Sequence, residues 1–398
     1  MSIKYFFRIF VCICVVAIQS SCSSSQKEEE NICLGDYESI SYNIDPKLST
    51  DPLGEQQFTV DSVCSLNVHD GFEEFLTSKF YVSNEKIYVL DSEFARTILV
   101  FDLSGNYLYK LGERGRAKNE YIVAPREFFV ASNGNVHVFD DDGQKMVVFN
   151  DSGKVIKNFV TSYIHSFGLI SNDKYVYCID NCDIDNEEQS PSLLIHDSKS
   201  NSDKILIPSK HYCYDFYPNL RTFFYNDKSL SHLPILSDSV IVFKNDVVEK
   251  VVRFGFKCGF YPTEYPECLR SIVGQNECNM NRKDYHGVMY ILDYQETESM
   301  ILMNYVYRFK VKSWLYDKRA KKVVHGDRIL PGYCVFKDYI LRGNQIIAYV
   351  EKENVEALKE YCAGKDFDKE DFDKSPSQVK DLLSGKIKAP ALFYITIK

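Results

Sequence analysis

The chain has 398 residues, of which 45% are hydrophobic, 14% aromatic and 26% charged, and its formal net charge is −9 at pH 7. This acidic balance argues against nucleic acid and anionic lipid as partners, because both are bound through a basic footprint. The 13 cysteines never form a C-x-x-C pair, so the signature of zinc and thioredoxin-like sites is absent. We therefore expect no cofactor and no metal.

The first 21 residues have the order of an export signal. Lys4 and Arg8 precede the apolar run "IFVCICVVAI" (Ile9–Ile18), and small residues lead to Cys22. The run is shorter than the roughly 20 apolar residues that a membrane span needs. "QSSC" resembles a bacterial lipobox, which implies that Cys22 is lipidated and becomes the mature N-terminus. An ordinary cleaved signal followed by a free cysteine is the alternative.

Residues 22–57 are predicted to be a lipidated N-terminus and a polar tether. "SSSQKEEE" follows Cys22 and contains no apolar residue that would make it fold. Its Lys-Glu-Glu-Glu run resembles the acidic signal of surface lipoproteins of Bacteroidota, and a solvated linker has the same composition. We expect an outer-membrane lipoprotein, periplasmic or surface-exposed, that contacts the membrane through its lipid anchor only.

An internal repeat begins after Phe58, where short β-rich runs alternate with Asn, Asp and Gly turns, a pattern typical of an all-β meander. "KIYVLDSEFARTILVFDLSGNYL" (Lys86–Leu108) aligns with "NVHVFDDDGQKMVVFNDSGKVI" (Asn135–Ile156), so that Asp91 matches Asp140 at an offset of 49. Such units cannot bury both faces alone, and they must therefore stack on one another. Weaker copies follow at Tyr175–Asp180, Ser192–Leu206, Asp238–Phe254, Ser299–Val324 and Asn344–Glu351.

The stretch "KLGERGRAKNEYIVAPR" (Lys110–Arg126) lies between the first two copies. Its glycines, its Glu-Tyr pair and its proline, with the strand that follows, resemble the blades of NHL-type propellers. The chain as a whole resembles the six-bladed β-propeller lipoproteins of Bacteroidota. This resemblance implies an all-β domain over residues 58–398, a six-bladed β-propeller of four-stranded antiparallel blades, in which the stretch joins two blades.

A phosphate-binding loop is the other interpretation of the same glycines. That site needs a strand, the loop and then a helix whose N-terminus faces the anion. After Tyr121 the sequence continues with a proline and a β-rich run closed by an Asn-Gly turn. The sequence therefore favours a joint between blades.

Short helices are predicted only as insertions near the C-terminus. "KENVEALKEYCA" (Lys352–Ala363) has an apolar face, and "SPSQVKDLLSG" has Ser375 as its N-cap and Gly385 past its end. A strand near Thr59 and the final strand Leu392–Ile397 are predicted to share one blade. This pairing would close the ring without an exposed edge.

The candidate ligand-binding residues lie on one face of the predicted disc, because inter-blade joints and the loops between second and third strands share that face. They are Arg114, Arg116, Glu120, Tyr121 and Arg126 from the joint, and Asp91, Arg96, Asp140, Asp141 and Asp180 from the loops. Arginine pairs with carboxylates and aromatic rings stack on sugars, so this surface suits a glycan or a peptide.

Each of these residue types also has a structural explanation. An aspartate at a strand end usually accepts hydrogen bonds from its own turn. The Glu-Tyr pair has the alternative role of fixing the joint, and Arg114 and Arg116 that of solvated loop residues.

Two further patterns leave alternatives open. "DNCDIDNEE" is acidic enough to bind calcium through Asp183, Asp185 and Glu187, but it lacks the glycine of an EF-type loop. Among the cysteines, Cys178–Cys182 and Cys268–Cys278 are the nearest disulfide candidates, and free buried thiols would look the same in sequence.

The sequence thus predicts an exported, lipid-anchored propeller that binds a glycan, a peptide or an envelope protein and has no catalytic activity of its own. The alternative is a propeller enzyme, a hydrolase or lyase acting on glycans or peptides. The fold alone does not choose between them.

Overall fold

The described part of the chain forms a ring of six β-sheets. The computed structural model describes residues 36–48, 58–67, 77–117, 120–161, 164–179, 191–208, 222–225, 229–234, 237–244, 246–261, 286–308, 310–326, 338–364, 369–373 and 375–398. Within each sheet, consecutive strands pair antiparallel from the centre of the ring outward. The predicted six-bladed β-propeller is therefore confirmed.

The strands divide among the blades in chain order, except for two N-terminal strands. These two are β1 (Glu38–Ile44) and β2 (Phe58–Ser65). Blade 1 contains β3 (Thr77–Ser83), β4 (Lys86–Asp91), β5 (Thr97–Asp102) and β6 (Tyr107–Leu111). Blade 2 contains β7 (Glu127–Val130), β8 (Val136–Asp140), β9 (Lys145–Phe149) and β10 (Val155–Val160). Blade 3 contains β11 (Ser166–Ser171), β12 (Lys174–Cys178), β13 (Pro191–Asp197) and β14 (Ser202–Pro208).

The last three blades use the rest of the chain and the two N-terminal strands. Blade 4 contains β15 (Phe223–Tyr225), β16 (Leu230–His232), β17 (Ser239–Lys244) and β18 (Val247–Phe256), with β1 outside β18. Blade 5 contains β19 (Val288–Glu296), β20 (Met300–Tyr307), β21 (Lys310–Asp317) and β22 (Lys322–Gly326). Blade 6 contains β23 (Asp338–Arg342), β24 (Gln345–Val350), β25 (Ala391–Ile397) and, as its outer strand, β2.

The ring closes as the sequence predicts. The strand β2 pairs antiparallel with β25, so that Thr59 lies opposite Thr396. The innermost strands β3, β7, β11, β15, β19 and β23 each contact the next, and β23 contacts β3. The blade that completes the circle is therefore fastened by both ends of the domain, and its outer strand comes from the N-terminal side.

The strand β1 contradicts part of the prediction that residues 22–57 form a polar tether. It pairs in parallel with β18, from Glu38 opposite Lys250 to Ile44 opposite Phe256. Its Tyr42 ring lies 5.3 Å from the rings of Trp314 and Tyr316 in blade 5. A parallel edge pairing depends on a partner some 200 residues away, which the local composition of a tether does not reveal.

The hydrophobic core lies between the faces of neighbouring blades. One cluster joins blades 1 and 2 around Tyr88, Tyr121 and Phe128. Others join blades 4 and 5 around Phe254, and blades 5 and 6 around Leu302. Middle strands of the blades such as β4 and β5 therefore bury both of their faces, which explains why they are apolar almost throughout.

Three helices, α1 (Lys352–Ala363), α2 (Lys369–Asp373) and α3 (Ser377–Leu383), lie between β24 and β25 in sequence. The predicted N-cap of α3 at Ser375 is wrong. Pro376 holds that position with ψ at 146° and makes no side-chain cap, so the helix begins one residue later than predicted. Gly385 follows the helix with φ at +79°, as predicted. None of the helices that the structure describes has the length and hydrophobicity of a membrane span.

The two faces of the ring are defined by their loops. The joint face carries the connections between blades and the loops between second and third strands. The turn face carries the turns between first and second strands and between third and fourth strands. Nine of the ten predicted ligand-binding residues lie in loops or at strand ends of the joint face, and Asp180 lies outside the described residues.

Candidate functional site

The joint between blades 1 and 2, residues 112–126, is held by its own backbone. Tyr121 N donates to Glu113 O at 2.9 Å, and Gly115 N donates to Tyr121 O at 2.8 Å. The Tyr121 ring is fully buried, and its hydroxyl donates to Leu111 O at 2.8 Å. Burial raises the pKa of this phenol well above its ordinary value. Tyr121 therefore fixes the joint from the inside, and its ring does not reach the ligand-accessible surface.

Gly112 makes this packing possible. Its φ is +71°, and a Cβ placed on it would lie 2.9 Å from three atoms of the Tyr121 side chain. The chain continues from the joint into the strand β7, where a phosphate loop would continue into a helix. The stretch is thus a connection between blades, as the sequence favours.

The aspartates that end β4 and β8 are fully buried and used by the backbone. Asp91 accepts hydrogen bonds from the N–H groups of Glu93, Phe94 and Ala95 at 2.9–3.0 Å. Asp140 accepts two backbone hydrogen bonds at 3.1 Å, one from the joint and one from its own loop. Burial raises the pKa of Asp140. Both side chains hold loops in place.

Of the remaining predicted residues, some make hydrogen bonds within their own loops and others are exposed to solvent. Glu120 accepts a hydrogen bond from Ala117 N at 2.8 Å, and Arg96 donates to a carbonyl of its own loop at 3.2 Å. Arg114 and Arg116 are exposed, and their guanidinium groups make no hydrogen bond or ion pair within the described residues. These two arginines are the part of the predicted surface that is both exposed and without a hydrogen bond or ion pair to the described residues.

A paired set of charges lies at the joint-face end of the inner strands. Arg126 forms an ion pair with Asp141 at 2.5 Å and lies 3.2 Å from Nδ1 of His165. Lys79 forms an ion pair with Glu127 across blades 1 and 2. Burial, followed by the charge of Arg126, lowers the pKa of His165 to about 4, so this imidazole is neutral at pH 7. The two cations and two carboxylates of this set are therefore paired with one another.

Several predicted positions lie outside the described residues. They are Cys22, Asp180, the calcium candidates Asp183, Asp185 and Glu187, and the disulfide candidates Cys182, Cys268 and Cys278. Cys64, Cys258 and Cys362 carry free thiols. In the part of the chain that the structure describes, no group of three or more His, Cys, Asp or Glu side chains is arranged to hold a metal ion.

A polar network that sequence reasoning missed links blades 5 and 6. The Tyr339 hydroxyl donates to one oxygen of Asp293, and Asn304 donates to the other at 3.1 Å. Ser313 donates in turn to Asn304 at 2.6 Å. Burial raises the pKa of Asp293 to about 6. No local pattern marks Asp293, because its partners come from three other strands.

The turn face carries a cavity of about 460 Å³, which we call the turn-face cavity. The turns between first and second strands of blades 1, 2, 5 and 6 surround it, with the end of β15 and the turn between β21 and β22. Its lining consists of Val82, Ser83, Asn84, Val130, Ser132, Tyr225, Thr297, Glu298, Ser299, Arg319, Ile340, Leu341, Arg342 and Gly343. The predicted ligand-binding residues are absent from this lining.

Hydrogen bonds between turns fix one wall of the turn-face cavity. Thr297 and Ser299 donate from their hydroxyls to Gly343 O at 2.9 and 3.3 Å, which ties blade 5 to blade 6. Lys318 N donates to Ser299 O at 2.8 Å and brings the turn that carries Arg319 to the same wall. Three turns therefore meet there in a defined arrangement.

Two arginines belong to this wall. Arg319 and Arg342 are exposed, and neither guanidinium makes a hydrogen bond or ion pair with the described part of the chain. Glu298 is the acidic side chain among the described lining residues. The sequence "DKRAKK" around Arg319 looks like an ordinary solvated turn, so only the ring geometry reveals these residues as a pair.

The family of the chain follows from its match over the propeller. Residues 73–386 match the model described as a domain of unknown function (DUF4934). The chain belongs to this family. No curated protein matches it. Since the family description states no activity, the function of this DUF4934 protein has to be argued from its sites.

Solved structures support the fold. A Bacteroides fragilis NCTC 9343 protein described as exported has a TM-score of 0.69 and 14% identity, covering 90% of this chain and 99% of its own. A DUF4221 family member from Bacteroides vulgatus has a TM-score of 0.49 and 10% identity, covering 86% and 98%. Virginiamycin B lyase from Staphylococcus aureus has a TM-score of 0.36 and 9% identity, covering 73% and 82%. The first similarity establishes the fold alone, and the other two carry no further argument.

Proposed function

We propose that this DUF4934 protein is a binding module of the cell envelope, with its ligand site in the turn-face cavity and no catalysis of its own. The observation that carries the proposal is the cavity, about 460 Å³ in volume and lined by polar, aromatic and aliphatic side chains. Ligand sites are typically concave, 300–1,000 Å³ in volume, and combine apolar walls with a few convergent polar groups.

The joint face is the competing surface in this proposal. Asp91, Asp140 and Tyr121 are fully buried there and bonded to backbone groups. Arg114 and Arg116 are exposed and could meet a ligand, but the other predicted residues that the structure describes on this face already have hydrogen-bond or ion-pair partners. The turn-face cavity is therefore the preferred site.

The location proposed is the outer membrane, with the propeller periplasmic or surface-exposed. The signal segment and the lipobox-like "QSSC" at Cys22 support export and lipid anchoring. The Bacteroides fragilis relative described as exported is consistent with that location. The partner would be a glycan, a peptide or an envelope protein. We also propose that the blades are of the NHL-like type.

Binding to arrays of oligosaccharides and short peptides tests the function, with hits measured again in solution by calorimetry. Ser132→Trp places a large ring in the turn-face cavity from an exposed turn position, and we expect it to abolish binding of the hits. The double variant Arg114→Ala/Arg116→Ala is the control for the joint face and should bind like the parent. Unchanged binding by Ser132→Trp would contradict the cavity assignment.

An enzyme is the second candidate, and Asp293 favours it. A half-buried carboxyl with its pKa raised to about 6 beside the Tyr339 hydroxyl is the kind of group that acid–base catalysis uses. A hydrolase or lyase would convert a bound oligosaccharide or peptide into smaller products, and Asp293→Asn would stop the conversion. Recovery of every bound ligand intact after prolonged incubation would instead support the binding module.

A further inference from the structure

We propose that the turn-face cavity selects acidic sugars, whose carboxylate is held by Arg319 and Arg342. This inference rests on the proposed function and names the ligand class for the same site.

The two arginines belong to one wall, although they come from different blades. Arg342 ends β23, and its neighbour Gly343 accepts hydrogen bonds from Thr297 and Ser299 of blade 5. Ser299 also accepts from the backbone of Lys318, the residue before Arg319. The backbone positions of both arginines are therefore fixed by the same set of hydrogen bonds.

Their lack of partners contrasts with the lysines nearby. Lys250 and Lys318 both contact the buried carboxylate of Glu296, at 2.6 and 2.5 Å. Arg319 and Arg342 make no such contact with the described residues. A guanidinium presents a planar fork that matches two oxygens of a carboxylate or phosphate, so two unpaired forks in a concave site favour an anionic ligand.

The charge of the lining distinguishes between these anions. The two arginines face one acidic side chain, Glu298, which leaves the described lining with a single net positive charge. That charge balances one carboxylate group, such as that of a single sugar unit held between the arginines, better than it balances a phosphate dianion. Carboxylate is therefore the chemistry that the site favours.

The other lining groups suit the hydroxyl groups and the ring of a sugar. Ser83 and Ser132 contribute hydroxyls from blades 1 and 2 that make no hydrogen bond within the described residues. Tyr225 presents a ring that is 38% exposed and is packed edge-on against Phe129, with the ring centroids 5.2 Å apart. Aromatic faces offer apolar contact to sugar rings, while hydroxyls give them hydrogen bonds.

The test is a calorimetric titration with trigalacturonate at neutral pH and low salt, where charge pairing at an exposed site is least screened. We expect the parent to bind, and Arg319→Gln/Arg342→Gln to bind at least about tenfold more weakly, because each lost charge-assisted hydrogen bond is worth about that factor. Arg253→Gln removes an exposed arginine of β18 outside the cavity and should bind like the parent. Equal melting temperatures would establish that all three proteins are folded.

Three further probes test the ligand class. Galactotriose lacks the carboxylate, galactose 1-phosphate carries a phosphate, and triglutamate carries carboxylates on a peptide; each should bind at least about tenfold more weakly than trigalacturonate. Equal binding by any one of them would overturn the acidic-sugar assignment, as would no binding of trigalacturonate. A neutral ligand whose binding is lost in Ser132→Trp but kept in the double arginine variant would overturn this inference and leave the proposed function standing.

Discussion

The joint face and the turn face carry similar polar side chains and use them in opposite ways. On the joint face, Asp91 and Asp140 are buried and direct their oxygens at backbone N–H groups of loops. On the turn face, Arg319 and Arg342 are exposed and have no partner among the described residues. The aspartates occupy equivalent positions in two copies of the repeat, whereas the two arginines do not. Residues that the repeat preserves serve each blade, whereas a binding site needs residues that break the symmetry of the ring.

The largest expected effect is a loss of stability on the joint face, caused by removing Asp140. Asp140→Ala should lower the free energy of unfolding by about 3 kcal/mol, because it leaves two backbone N–H groups without their charged acceptor. Asp142→Ala, at an exposed position of the same loop, should change it by less than about 0.5 kcal/mol. Urea unfolding measures both, and equal losses would contradict a structural role for Asp140.

The joint itself is tested by Gly112→Val. The new side chain would meet the Tyr121 ring at a backbone φ of +71°, and we expect a loss of roughly 1–3 kcal/mol in unfolding free energy. Gly385→Ala has a similar φ of +79° but no atom within 4 Å of the added Cβ, so it should cost about 1 kcal/mol from backbone strain alone. Urea unfolding would contradict the packing explanation if Gly112→Val cost no more than this control.

Asp293 should make the stability of the protein depend on pH. Because its pKa is raised to about 6 in the folded protein, mainly by burial, the folded state binds this proton more tightly than the unfolded chain does. The resulting stabilisation is complete below about pH 4 and is lost as the pH rises through 6. The stability of the parent relative to Asp293→Asn should therefore fall by roughly 1–2 kcal/mol between pH 4 and pH 6, allowing for partial solvation. Parallel stability curves for the two proteins would rule out this shift.

The smallest expected effects concern the unpaired arginines. Arg319→Gln/Arg342→Gln and Arg114→Ala/Arg116→Ala should each leave the unfolding free energy within about 0.5 kcal/mol of the parent, because surface side chains without partners contribute little to stability. Thermal melting measures both pairs. A loss above about 1 kcal/mol for the turn-face pair would mean that its arginines are structural.

The repeat made most of the fold predictable. Asp91 and Asp140 match in sequence and end equivalent strands, and Gly105 and Gly153 both adopt positive φ between third and fourth strands. Alternating strands and turns are local properties, so a single sequence carries them. The closing of the ring by β2 and β25 was predictable because a blade shared by a strand near each end of the domain leaves the ring without an exposed edge.

The parts that could not be predicted depend on distant partners. The strand β1 takes its position from β18, and the turn-face cavity takes its wall from Thr297, Arg319 and Arg342, which meet only when blades 5 and 6 are packed. The buried state of Tyr121 was similarly hidden, because a Glu-Tyr pair in a loop looks the same whether its ring faces inward or outward. The sequence therefore assigns these residues to joint-face loops, but it does not show that most of their side chains already have hydrogen-bond or ion-pair partners.

Hydrogen exchange with and without trigalacturonate tests most directly which face binds. A ligand in the turn-face cavity should slow amide exchange in the turns at residues 297–299 and 342–344, which contribute to the cavity wall, and should leave the joint at residues 112–117 unchanged. Protection confined to the joint, with none in those two turns, would contradict the turn-face site and return the binding surface to Arg114 and Arg116.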